Sequence, residues 1–207
     1  MDIPRLVQEF AILAPPFLLA ITLHEFAHGY VAFRLGDPTA ARQGRLTLNP
    51  FKHLDPWGVL AFFIMKIGWA RPVPVDPRYF REPQRAMLWV SLAGITANLV
   101  LAILSGVMVR LLALSAELIP LPLLYPVLKM LAAGVWINIM LAVFNLLPIP
   151  PLDGSKVLMS VLPANLAAGY ARLEPFGFLI LLALFYAGVI GKIMLPLISF
   201  AQNLILG

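Results

Sequence analysis

The stretch Leu23–Phe33, LHEFAHGYVAF, sets two histidines and a glutamate into an otherwise apolar helical run. In an α-helix, positions i and i+4 lie about 400° apart, so His24 and His28 share a face and can aim both imidazoles at one ion. Glu25, turned about 100° from His24, is suited to hold and deprotonate a water on that ion rather than to bind the ion itself. This HExxH pattern inside an apolar segment predicts a zinc site within a membrane. The same side chains admit another reading, as a proton or ion path, so a metal or proton transporter is the alternative function class.

The surrounding chain supports the membrane setting. Apolar residues make up 61% of the 207 and charged residues 12%, with several charge-free runs of bilayer-spanning length. The first segment does not read as a secretory signal: Asp2, Arg5 and Glu9 replace a plain basic start, and no small-residue cleavage site follows. The absence of cysteine excludes disulfides and thiolate ligands, leaving His, Asp, Glu or backbone oxygen for any metal. The net charge of +5 resides mainly in loops flanking apolar runs, which points to anionic headgroups rather than nucleic acid.

Taken in order, Leu6 to Leu35 predicts one long helix kinked near Pro15 and Pro16 and stopped by Gly36, Asp37 and Pro38. Leu46 and Leu48 alternate with Arg45, Thr47 and Asn49, which predicts a short strand in a small membrane-surface β-sheet. Trp57 to Trp69, carrying Gly58, Lys66 and Gly68, is too short to span and predicts a re-entrant or interfacial hairpin. The proline-rich ARPVPVDPRYFREPQR then runs as a surface loop. Met87 to Val109 and Met130 to Leu147 predict spans; Gly94 and Asn98 share a face of the first, open to close packing and an amide hydrogen bond. Between Asn145 and Gly154 the sequence NLLPIPPLDG cannot form a regular helix. Beyond Glu174 the chain is apolar, either one kinked helix or a span followed by an interfacial piece. The expected fold is all-α and polytopic, with about four transmembrane helices, the hairpin and the small sheet.

With single crossings at 6–35, 87–109, 130–147 and about 176–190, one side carries eleven Lys and Arg and the other four. The richer side is then cytoplasmic, and both the HExxH half of the first helix and the Asp153 turn face it. A catalytic zinc needs three protein ligands and an open position. Asp153, at matching depth on a proline-fixed turn, is the candidate third ligand, and its competing role is a cap for the helix predicted at GSKVLMSVL. His53, beside Lys52, reads as a surface or sheet residue. Asn145 or Asn98 could donate to a developing oxyanion. The strand at 44–49 could hold an unwound substrate by strand addition.

HEFAH at 24–28, AGITAN at 93–98 and NLLPIPPLDG at 145–154, in this order, resemble the site-2 protease family of intramembrane zinc metalloproteases. RQGRLTLNPFKHLDPWG and ARPVPV resemble its short members without an inserted PDZ or CBS domain. Ile95 stands where proline often follows the middle-motif glycine. The resemblance implies one Zn2+ per chain on His24, His28 and Asp153, Glu25 as catalytic acid/base, and Asn145 as an active-site residue. It further implies a membrane-protein substrate with a transmembrane helix and a location in the cell membrane. The expected organisation is a single metalloprotease domain over 1–207, with a loop over 36–86 between the first two spans and a C-terminal helical segment at 174–206.

Overall fold

The computed structural model describes residues 3–65 and 69–207; Asp2, Lys66 and Gly68, used above, lie outside them. Nine α-helices are found among the described residues: α1 (Ile3–Arg34), α2 (Thr39–Arg42), α3 (Pro56–Met65), α4 (Pro83–Leu114), α5 (Leu121–Leu146), α6 (Asp153–Val161), α7 (Ala164–Ala171), α8 (Gly177–Tyr186) and α9 (Val189–Leu206). Among the described residues, five helical stretches are long and apolar enough to cross a membrane: α1, α4, α5, the run Ala164–Tyr186 containing α7 and α8, and α9. The count exceeds the expected four because Gly188, at φ 71°, breaks the C-terminal apolar run into two helices.

At the centre lies α4, which packs on α1, α5, α6 and α9. Its buried positions include Ala86, Val90, Gly94, Asn98, Ala102 and Gly106, each four residues from the next. Such a stripe of mostly small side chains forms a ridge along which neighbouring helices approach closely. The N-terminal half of α1 presents Ile3, Val7, Phe10, Leu13 and Phe17 outward, and its C-terminal half buries Ala20, Ile21, His24, Glu25, His28 and Ala32. The apolar core joins Ala102, Val135, Ile139, Leu147, Leu152, Ile190, Met194 and Ile198 from α4, α5, the following turn and α9.

The predicted membrane-surface sheet is not present among the described residues. The only β pairing there is an isolated antiparallel bridge between Leu54 and Ala70. Alternation at 45–49 was a misleading signal because that backbone bonds locally. The amides of Arg45 and Leu46 donate to Ala40 O, Thr47 N donates to Arg45 O, and Asn49 N donates to the Thr47 hydroxyl. With those groups satisfied nearby, no ladder remains to be made, and strand addition at 44–49 falls with the strand. The short apolar stretch becomes α3, at about 15 Å too short to cross the hydrocarbon core. Leu54 and Ala70, which flank the stretch, pair through the isolated bridge, and the Trp69 backbone passes so close to Gly58 that a Cβ there would collide with Trp69 O.

These loops form a hydrogen-bonded layer beside α1. Buried Asp37 accepts from the amides of Thr39 and Asp76 at 2.9 and 2.7 Å. Arg45 donates to Arg71 O at 2.7 Å, and Arg71 N donates to His53 O at 2.9 Å.

Because the chain contains no cysteine, single cysteines report sidedness directly. Cysteines replacing Lys52 and Val161 should react with an impermeant maleimide from one side of sealed vesicles. Those replacing Glu117 and Ala187 should react from the other. Labelling of Lys52 and Val161 positions from opposite sides would contradict this arrangement of helices.

Candidate active site

His24 and His28 lie one turn apart on α1, and Asp153 is the first residue of α6. All three are buried, with 6 to 8% exposure. The imidazole rings sit edge to face, centroids 4.5 Å apart and planes at 88°. Their Nε2 atoms are 2.9 Å from each other, and 3.2 and 3.0 Å from Asp153 Oδ2 for His24 and His28 respectively. Asp153 does not cap α6: Leu152 holds the cap position and makes no side-chain cap bond. The carboxylate is turned instead toward the histidines, with Lys156 Nζ 3.6 Å from its other oxygen.

Where the imidazole hydrogens sit follows from the Nδ1 partners. His28 Nδ1 is 2.7 Å from Val90 O, a carbonyl that only accepts, so Nδ1 donates. His24 Nδ1 is 2.6 Å from Asn98 Oδ1. The Asn98 amide nitrogen gives its hydrogens to Asn138 Oδ1 at 2.8 Å and Ala20 O at 3.3 Å, which leaves its oxygen to accept from His24. Both Nε2 atoms then carry lone pairs facing each other and the Asp153 carboxylate. Three acceptors at such separations repel unless a cation or proton lies among them. Tetrahedral zinc with bonds of 2.0–2.1 Å places its ligands about 3.3 Å apart, close to what is found. The donor set fits zinc, and His24, His28 and Asp153 are the residues that could hold it.

Gly94 makes the histidine geometry possible. A Cβ there would lie 2.5 Å from His28 Nε2 and 2.7 Å from His24 Cε1.

Glu25 is buried on α1, and its Oε2 accepts from Val73 N at 2.8 Å. The loop after α3 thus reaches the motif through its backbone. Arg45 backs this loop: it is buried, and burial foremost, with the neighbouring Arg71 charge, lowers its pKa while Glu25 opposes the shift. Asn145 donates to Leu141 O one turn back in α5 at 3.0 Å, and no bond from it to the histidines or Asp153 is found among the described residues. His53 is fully buried and bonded to Thr47 O rather than being a surface residue, and it stands outside the cluster.

Two contributors carry little sequence signal. Val73 and Val90 act through backbone atoms, which any residue other than proline could supply in the first case and any residue in the second. Asn138 carries a readable signal, an amide amid apolar neighbours in a predicted span.

The peptidase family M50 model matches residues 124–188, a stretch holding Asn145 and Asp153. The "Putative zinc metalloprotease YwhC" of Bacillus subtilis is 38% identical over 200 residues, covering 91% of this chain and 86% of that protein. The chain belongs to peptidase family M50. Rip2 of Mycobacterium tuberculosis, named in the same way, is 34% identical over 188 residues, covering 86% of this chain and 68% of Rip2. No solved structure matches. The resemblance to short site-2 proteases is therefore borne out, and this M50 protein is a multi-pass membrane zinc metalloendopeptidase.

Replacing Gly94 by Ala should crowd both pinned imidazoles. The expected outcome is a loss of about 1–3 kcal/mol in stability, as for other overpacked sites, with less zinc retained after purification. Thermal unfolding in detergent and metal analysis would check this, and a variant unchanged in both would contradict it.

Proposed function

We propose that residues 1–207 act as one intramembrane endopeptidase domain that hydrolyses a peptide bond in or near the transmembrane segment of another membrane protein. The observation that carries this reading is the convergence of three buried lone-pair donors from two helices in an M50 chain. His24, His28 and Asp153 hold zinc, which when bound polarises the scissile carbonyl and activates water for attack. Glu25, next to His24 on α1, is the general base and then the general acid. It takes one proton from the attacking water and delivers it to the departing amide nitrogen as the C–N bond breaks and the C–O bond forms. The Val73 amide, fixed on one Glu25 oxygen, leaves the other free for that transfer. Asn145, from the motif that also holds Asp153, completes the proposed active site as a substrate-contacting amide.

A helical substrate keeps its carbonyls in its own hydrogen bonds, so local unwinding must precede attack. We place the site toward the cytoplasmic side of the cell membrane. Arg42, Arg45, Lys52, Arg71, Arg78 and Arg81 lie between α1 and α4, whereas no Lys or Arg lies between α4 and α5. No observation favours the transporter reading.

Glu25→Gln keeps the size and the Val73 contact but removes the base. Cleavage of a co-reconstituted single-span substrate should fall by at least about 10²-fold, with zinc content near that of the wild type. Undiminished cleavage by this variant would overturn the role given to Glu25.

A further inference from the structure

We infer that Asn98, braced by Asn138, is the positioning residue that presents His24 Nε2 to the metal. This rests on His24 being a zinc ligand, as proposed above. Asn98 is fully buried and Asn138 nearly so, on facing helices α4 and α5. Their hydrogen bonds run in one direction. Asn138 Nδ2 donates to Gly134 O at 2.8 Å, which turns its oxygen to accept from Asn98 Nδ2. The second hydrogen of Asn98 Nδ2 goes to Ala20 O on α1, one turn before His24. With both hydrogens committed, Asn98 can meet His24 Nδ1 only through its oxygen.

An amide flipped by 180° would point N–H at the ring and drive the hydrogen to Nε2, where it would block coordination. Asn138 opposes that flip, because a flipped Asn98 would set two oxygens against each other. Helix packing alone would need the Asn98–Asn138 bond but not the 2.6 Å contact to His24. The relay therefore selects a tautomer as well as joining helices. His28 needs no such device, since the Val90 carbonyl it meets can only accept.

The test is zinc affinity in detergent, measured by competition with a chromophoric chelator, beside thermal unfolding of the metal-free proteins. Asn98→Leu should weaken zinc by about 10- to 100-fold, the usual cost of losing an outer partner of a ligating histidine. Asn98→Asp keeps an acceptor for Nδ1 but sets its second oxygen against Asn138 Oδ1, and should weaken zinc less than Asn98→Leu does. Asn138→Leu, which touches no ring, should weaken zinc by a smaller factor than Asn98→Leu. Equal affinity in Asn98→Leu and the wild type would overturn the inference, as would an Asn98→Asp variant as weak as Asn98→Leu. If Asn98→Leu does not fold, an unchanged affinity in Asn138→Leu overturns it. His24→Ala separates the two levels: retained zinc there refutes the ligand reading itself, whereas lost zinc there with unaltered asparagine variants refutes only the relay.

Discussion

Three acceptor atoms, His24 Nε2, His28 Nε2 and Asp153 Oδ2, are held 2.9 to 3.2 Å apart in the interior of a membrane protein, with their hydrogens committed elsewhere. Left to themselves they would separate or gather a proton. Burying one carboxylate costs several kcal/mol even after relaxation. Apparent zinc affinities in small protein sites reach about 10–16 kcal/mol, so metal binding is large enough to offset both burial and repulsion. Much of the surrounding structure keeps these atoms together before the metal arrives.

The helix α4 contributes most to that task. Its four-residue stripe places Val90 under His28, Gly94 against both rings and Asn98 under His24, so one ridge supplies an acceptor, a clearance and a second acceptor in turn. The placement of Asp153 depends on a different constraint. A Cβ at Gly154 would lie 2.2 Å from Leu146 O, so the turn after α5 folds back on its own helix end and swings Asp153 into place. The loop layer then reaches Glu25 through Val73 N and is itself tied down by Asp37 and Arg45. The two groups are thus braced separately, the histidine rings by α4 and Glu25 by the loop layer.

What could be read from the sequence was whatever expressed itself in helical periodicity or in rare polar residues inside apolar runs. His24, Glu25 and His28 declared a shared turn, and the even number of crossings between them and Asp153 put the aspartate on the same face. The surface sheet was misread because alternation at 45–49 says nothing about whether backbone groups find partners locally, as they do with Ala40 and Thr47. The break at Gly188, whose left-handed φ makes two helices of one apolar run, is a tertiary outcome that the apolar run alone does not contain. Asn98 was read as packing or as an oxyanion donor; its bond to His24 depends on the rotation of α4 against α1, which no single-segment pattern contains.

The central claim is that α1 and α6 jointly hold one metal ion. It is tested most directly by zinc content per chain in detergent-purified wild type and Asp153→Ala, each shown to be folded and each reconstituted with zinc before removal of excess. About one zinc in the wild type and clear loss in the variant is the predicted result, since two histidines alone leave the three-ligand set of a catalytic site incomplete. Equal zinc in both proteins, or none in the reconstituted wild type, would contradict the account.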